Sequence, residues 1–457
     1  MNQTYMKDNS IFPLVLTMSL PMIISMLVNA MYNIVDSYFV AQISGNAMTA
    51  LSLVFPLQNL VNSVAIGFGI GINAAVAFFL GAEKREAANA SVRKGLILSG
   101  LHGILLTGIC IFGASRFISL FTTNSEILTY SLDYSYIVFA FSPIVTLGVS
   151  LEKIFQSVGR MKISMLSMLC GCIINIILDP IFIFGLGFVP EMGIKGAALA
   201  TGIGQLSTLA LYIYFFKKIP LPIQLVKTPP ASTYHDRSEY KTGDIYRRLY
   251  LVGVPATLNL ALPSLLITAL NGILVEFSQI YVLILGIYYK LQTFIYFTAS
   301  GIVQGIRPLV GYNYGAGRPD RVRKIFRISL ALAALIMAVG TILCFLIPEE
   351  ILRLFSSDPE TITEGALALR FISIGFIVSA MSIIASGTFE GLGQGIPSLI
   401  ISLIRFIVII PIAFLLSRPF GASGVWHGFW VTEILAAALS FLLIQRFFNK
   451  SLHKIVS

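Results

Sequence analysis

Charge is scarce in this sequence. Aspartate, glutamate, lysine and arginine together supply 11% of its 457 residues, against roughly a quarter in a soluble domain. A soluble chain of this length folds as two or three domains, each with a polar surface, and these side chains cannot cover such surfaces. Disordered and coiled-coil chains need more charge still. Histidine is nearly as rare, with four residues scattered at 102, 235, 427 and 453. The four cysteines (Cys110, Cys170, Cys172 and Cys344) lie inside apolar stretches. A Cys-x-Cys pair in that setting lacks the further donors of a zinc site, and there are too few cysteines for a disulfide scaffold. No His-Glu-x-x-His, no Gly-x-Ser-x-Gly and no lysine closing a glycine-rich phosphate loop occurs, so no enzyme is expected.

What the sequence has is hydrocarbon. Apolar residues make up 56% and the mean hydropathy is +0.86. A bilayer span takes about 20 apolar residues, so there is room for about a dozen. Apolar runs between polar breaks predict spans at 13–38, 50–80, 96–113, 128–152, 163–186, 196–216, 250–275, 282–312, 328–347, 362–387, 397–416 and 425–445. The first run, Phe12 to Val40, is too long for a signal-peptide core and has no Ala-x-Ala-like site at its end, so it is read as a retained span. With an even number of spans, both termini face one side. Of 31 lysines and arginines, only Arg116, Lys195, Arg353 and Arg418 fall in loops of one side, and Lys290, Arg307, Arg370 and Arg405 fall in or beside spans. The rest crowd the other side. The positive-inside rule makes that side cytoplasmic, for a multi-pass protein of the cell (plasma) membrane with both termini cytoplasmic. The net charge of +10 then needs no nucleic acid partner. The lipid bilayer is the expected partner, and no obligate protein partner or cofactor is indicated.

The two halves repeat. Pro21 matches Pro255, Leu57-Gln58 matches Leu291-Gln292, and Ala65, Gly67, Gly71 and Ile72 match Ala299, Gly301, Gly305 and Ile306. Gly81-Ala82, Arg93, Leu120-Phe121, Phe155 and Gly159 match Gly315-Ala316, Arg327, Leu354-Phe355, Phe389 and Gly393. Every pair is 234 positions apart. The domain expectation is an N-terminal six-helix lobe over 1–216, a cytoplasmic linker over 217–249 and a C-terminal six-helix lobe over 250–457. Six spans per half give both halves the same polarity, hence a parallel repeat. The expected fold is an all-α polytopic membrane protein, with twelve transmembrane helices in two lobes around a central cavity. Rocking of the lobes opens such a cavity to alternate sides. Gly67-x-x-x-Gly71 and its mate sit inside apolar spans and read as close helix packing. Pro21 and Pro255 remove a backbone donor deep in spans one and seven and are candidate kinks.

The stretch Tyr32-Asn33-Ile34-Val35-Asp36-Ser37, the paired Gly-Ala turns, and Gln304-Gly-Ile-Arg307-Pro308-Leu-Val-Gly-Tyr-Asn-Tyr-Gly315-Ala resemble the multidrug and toxic compound extrusion (MATE) family. Lys290, Gln292 and Gly311-Tyr312-Asn313-Tyr314-Gly315 are similar to its MepA-like branch. The resemblance spans about 13–447. It implies a two-lobe antiporter exporting amphipathic, often cationic, drugs and toxic compounds, driven by proton or sodium entry. Within the same superfamily, a flippase or exporter of a lipid-linked or polar metabolite is the alternative. A major-facilitator transporter is disfavoured, because the loop after span two reads Gly81-Ala-Glu-Lys-Arg-Glu-Ala.

Intramembrane acids are the sharpest chemical signal. A carboxylate at a span centre costs ~2.5–3.5 kcal/mol on insertion scales, so Asp36 and Asp179 mark a pathway or a well-paired site. Asn29, Asn33 and Asp36 share a helix face, as do Asn175 and Asp179. The resemblance places Asp36, Asn175, Asp179 and Thr201, with Tyr32 nearby, at the coupling-ion site. Oxygen donors of this kind suit sodium at Asp36 and Asp179, and the same acids can instead carry a proton. Spans seven and ten show no matching acid, only Glu276 and Glu364 at their outer ends, so a second carboxylate site is not expected. That half instead carries Lys290 and Arg307 as gating or cationic groups, with an acid such as Glu390, or backbone carbonyls near the inner mouth, as the candidate partner of Arg307. Asn33, Gln58, Asn62, Gln156, Gln205, Asn259 and Gln292 are the candidates for lining the substrate cavity.

Overall fold

The computed structural model describes residues 5–187, 189–224 and 242–456, apart from the side chains of 242 and 451–456. Most of the expected linker, 225–241, lies outside the described residues. Among the described residues every regular element is helical, the outcome lipid imposes on a chain whose backbone groups must bond within their own segment. Among the described residues eleven helices are long and apolar enough to cross a membrane, and a bent pair makes a twelfth where it is taken as one span.

The first half consists of α1 (Ile11–Ile43), α2 (Gly45–Gly81), α3 (Arg85–Ser119), the bent pair α4 (Ser125–Ala140) and α5 (Ser142–Ser157), α6 (Met161–Phe184) and α7 (Ile194–Lys218). Pro143, in the first turn of α5, cannot continue the ladder of α4, and the pair bends by 47° there. The second half consists of α8 (Thr242–Val275), α9 (Gln279–Gly315), α10 (Pro319–Leu346), α11 (Pro359–Gly391), α12 (Gly395–Phe420) and α13 (Ala422–Val456). A single π-helical turn, Ile404–Val408, interrupts α12.

The repeat reaches the backbone. Ser44 caps α2 by accepting from the Ala47 amide, and Ser278 caps α9 by accepting from the Ile280 amide. Asn124 caps α4 and Asp358 caps α11. Both pairs are 234 positions apart, as are the left-handed residues Glu83 and Gly317, Gly159 and Gly393, and Gly187 and Gly421. Glu83 is the only non-glycine with positive φ among the described residues, at +61°. Left-handed backbone costs an L-residue roughly 1–2 kcal/mol, and glycine returns part of that as chain entropy. Glu83→Gly is therefore expected to gain about 0.5–1 kcal/mol. The check is a small rise in the thermal midpoint in detergent. A fall means that the Glu83 side-chain contact outweighs the strain.

The two cap mates differ in charge. The Thr361 hydroxyl and amide donate to Asp358 Oδ2 at 2.6 and 2.9 Å, which holds that carboxyl below the usual aspartate range. A depressed folded-state value means that the cap's contribution is complete at neutral pH and is lost as pH falls below the ordinary aspartate value of about 3.9. Asn124 has no such proton. Hydrogen-exchange protection at the start of α11 is expected to drop in acid while that at the start of α4 holds. Equal loss at both sites removes the carboxylate as the cause.

The chain divides into two compact units, Ile24–Thr257 and Leu258 onward joined by the N-terminal stretch through Ile23. The divisions fall inside α1 and α8, again 234 positions apart, rather than in the linker. Glycines make this possible. A Cβ at Gly67 or Gly71 of α2 would run into Thr257 and the Leu249 carbonyl of α8, and one at Gly301 or Gly305 of α9 would run into Ile23 and Ser19 of α1. The Gly-x-x-x-Gly pairs are thus seats for the N-terminal halves of α8 and α1, backbone to backbone. Pro21 lies inside continuous α1 and Pro255 inside continuous α8.

Candidate functional site

In the first unit Val40, Val54, Cys110, Tyr134, Ile183 and Ala197 belong to one buried apolar cluster contributed by α1, α2, α3, α4, α6 and α7. Its packing draws α1, α6 and α7 together beside it, and three polar residues are buried there. Asp36 is 8%, Asn175 2% and Asp179 0% exposed. Asn175, with its amide turned to satisfy both neighbours, donates to Asp179 Oδ2 at 3.1 Å and accepts from the Thr201 amide at 3.0 Å. The Tyr32 and Tyr134 hydroxyls lie close to Thr201, and Gln58 donates to the Tyr134 hydroxyl at 3.2 Å. Asp36 lies near Asp179. Pro180 has no N–H for the Ile176 carbonyl one turn back.

Five of the sequence-derived positions (Tyr32, Asp36, Asn175, Asp179 and Thr201) therefore share one buried polar centre, and Gln58 joins it through Tyr134. The sequence reading missed Tyr134, because a tyrosine in an apolar span looks like any other core aromatic. Asp36 Oδ1 is buried with no hydrogen-bond partner. Among the described residues neither acid forms an ion pair. Carboxylate, hydroxyl and amide oxygens around an unbonded carboxylate oxygen form a donor set for a small hard cation or a proton.

The other candidates lie elsewhere. Asn33 is exposed and donates to Asn29 on its own helix, 2.7 Å from the Asn29 carbonyl. Asn62 is exposed and Gln205 half-buried. Gln156 is buried and donates to Glu152 Oε1 at 2.6 Å, beside a Lys153–Glu152 ion pair at 2.8 Å. In the second unit Lys290 is exposed on α9, and Gln292 donates to the Tyr288 hydroxyl at 2.7 Å.

The expectation of no acid in spans seven and ten needs correction. Helix α11 runs to Gly391, past the apolar run that ended the predicted span, and carries Glu390 with it. Glu390 is 4% exposed. It receives Arg307 Nε and Nη2, both at 2.7 Å, Ser398 Oγ at 3.1 Å and Asn259 Nδ2 of α8 at 3.3 Å. This acid has a resident cation, unlike Asp36 and Asp179. A further buried pair went unread in the sequence: Arg405, in the π-turn of α12, donates to both carboxylate oxygens of Glu433 on α13 at 2.8–3.1 Å.

The MatE family model matches residues 21–181 and again 255–415, two segments set apart by the offset seen in the sequence, caps and turns. The multidrug export protein MepA of Staphylococcus haemolyticus (strain JCSC1435) is 27% identical over 452 residues, covering 98% of this chain and 96% of its own. A crystal structure of MATE in the bent conformation superimposes with a TM-score of 0.91 at 22% identity, covering 100% of both chains. An outward-facing multidrug resistance MATE family transporter of the MOP superfamily gives 0.90 at 22% identity, covering 99% of both. The fold is theirs. With both repeats matched, the chain belongs to the MatE family, a family of membrane transporters and not of enzymes.

Proposed function

We propose that this protein is an ion-coupled antiporter of the plasma membrane, exporting amphipathic, often cationic, drugs and toxic compounds from the cytoplasm by alternating access. One observation carries the coupling. Of the five carboxylates deep in the helices, Glu152, Glu390 and Glu433 each have a lysine or arginine within 2.8 Å, while Asp36 and Asp179 have none among the described residues. A buried acid without a counter-charge is costly, and an entering proton or sodium ion supplies the missing charge. Asp36 and Asp179 are the coupling site in this reading, with Asn175, Thr201 and Tyr32 holding their geometry. Occupancy biases α1, which carries Asp36 and Pro21, toward the state that releases the exported compound. The lysine and arginine distribution supports cytoplasmic termini, and the MepA relative's name supports drugs as the cargo.

The test is ethidium efflux from proteoliposomes under sodium and pH gradients imposed separately. Efflux is expected to follow one of the two gradients, and indifference to both ends the antiporter reading. A second reading has one observation of its own: Lys290 is an exposed cation well inside an apolar helix, which suits an anionic group on a lipid-linked or polar metabolite. Faster transport of an anionic lipid analogue than of ethidium, lost in Lys290→Gln, favours that reading.

A further inference from the structure

We propose that Arg405 is a tethered cation, holding permanently in the second repeat the place that the coupling ion takes in the first, so that one repeat alone exchanges ions. The inference rests on the coupling reading above.

Each repeat builds a polar centre from matching helices. In the first, α1, α2, α4, α6 and α7 contribute Tyr32 with Asp36, Gln58, Tyr134, Asn175 with Asp179, and Thr201. In the second, the counterparts of the last four, α9, α11, α12 and α13, contribute Gln292 with Tyr288 and Tyr296, Ser379 with Ser382, Arg405, and Glu433; α8, the counterpart of α1, contributes none of these groups. Gln58 and Gln292 are 234 positions apart, and each donates its amide to a tyrosine hydroxyl that is itself buried. Around Glu433, Ser382 Oγ donates at 3.3 Å and Arg405 fills the remaining carboxylate face in a bidentate pair. The Arg405 guanidinium also lies 5.8 Å from the Tyr296 ring centre, whose hydroxyl donates to Ser379 at 3.1 Å. Apart from each other, the titratable groups that Arg405 and Glu433 face are Tyr288 and Tyr296.

The two centres thus differ in one respect that matters for coupling. The acids of the first lack a cation and must borrow one. The acid of the second has one covalently attached to α12, on the one turn of that helix wound as π. Such turns insert a residue and re-aim the side chains beside it, and they recur at functional positions. A guanidinium does not lose its proton in a protein, and a tether keeps it from leaving with either side's water. Arg405 is a positioning residue in this scheme, because it touches Glu433 and not the cargo.

The protein carries its own reporter. Both of its tryptophans, Trp426 and Trp430, lie on α13, and Trp430 is one turn from Glu433. Tryptophan emission of the full-length protein in nanodiscs is titrated with sodium chloride against choline chloride, and separately from pH 8 to 5. The pH arm uses a His427→Gln background, because Trp430 Nε1 donates to His427 Nδ1. Wild type and Arg405→Lys are expected to show no saturable sodium or pH response. Arg405→Met is expected to acquire one, and Arg405→Met/Glu433→Gln to lose it again. Where Arg405→Met is too unstable for emission, thermal melting replaces it, read as the ion effect over and above that of wild type: at ten times the dissociation constant the new ion adds about an eleven-fold preference for the folded state, an increment absent from the double variant. An Arg405→Met protein indifferent to both ions, or one that folds in neither while the double variant folds, overturns the proposal. So does a saturable response in wild type that Glu433→Gln removes. The emission is read at α13 and the melting as an increment over wild type, whose Asp36 and Asp179 are intact, so loss of the antiport reading through efflux assays is a separate result.

Discussion

Asp36→Asn and Asp179→Asn are each expected to yield a well-folded protein that no longer pumps. One charge moving down ~150 mV releases about 3.4 kcal/mol, enough to hold roughly a 300-fold gradient of a neutral compound. With either acid neutralised that coupling goes, and accumulated ethidium in everted vesicles should fall from a gradient of this order to none. Stability is expected to move the other way. Asn is nearly the shape of Asp, and at 179 it keeps an oxygen to accept from Asn175, while at either position it removes an ionisable group buried without a counter-charge. The thermal midpoint should therefore be unchanged or higher. The opposing signs make the test sharp. Lost efflux with a lowered midpoint means that the acids are structural anchors, and retained ion-driven accumulation in Asp36→Asn removes that residue from the mechanism.

How much of this was legible without coordinates follows from the reach of each signal. The twelve crossings and their pairing were readable because lipid leaves the backbone one option and because glycines, prolines and caps recur at one fixed offset. The polar centre was partly readable. Asp36 and Asp179 announce themselves through the cost of a charge in an apolar run, yet the sequence cannot say that Tyr134, 98 positions from Asp36, completes the same centre. Helical spacing grouped Asn33 with Asp36, but a three-and-a-half-residue period does not decide which flank of a stripe faces a neighbour, and Asn33 turned to Asn29. The resident ion pairs were readable unevenly. Glu390 was legible as a candidate partner for Arg307 and is one, although it falls three residues beyond the apolar run that defined its span, whereas Glu433 and Arg405 sit on different helices with nothing local to pair them. The crossing of α1 and α8 between compact units was hidden as well, because the glycines that permit it read only as generic close packing.

The second large effect is expected at Glu390. Arg307 and Glu390 side chains are 14% and 6% exposed, the α9 and α11 backbones touch at Gly391 and the Arg307 carbonyl, and Asn259 and Ser398 spend their donors on the same carboxylate. Glu390→Leu leaves a guanidinium buried with no counter-ion, and Asn259 and Ser398 with each other and Ser386 for partners. Breaking a buried pair on one side typically costs about 3–5 kcal/mol, so the variant should express poorly and melt many degrees below wild type in detergent. Removing both charges is a different matter, because two apolar side chains of similar volume often do as well as the pair they replace. Arg307→Met/Glu390→Leu should recover most of the loss, and the interaction energy from the cycle should exceed about 2 kcal/mol. Equal melting of single and double variants would mean that water reaches the pair and that it contributes little. The recovered double variant then separates the two roles open to Arg307. As an anchor between α8, α9, α11 and α12 it is replaceable, and ion-driven efflux returns with the midpoint. As a gate it is not, and the protein folds, keeps its response to Asp36→Asn in melting, and stays unable to cycle.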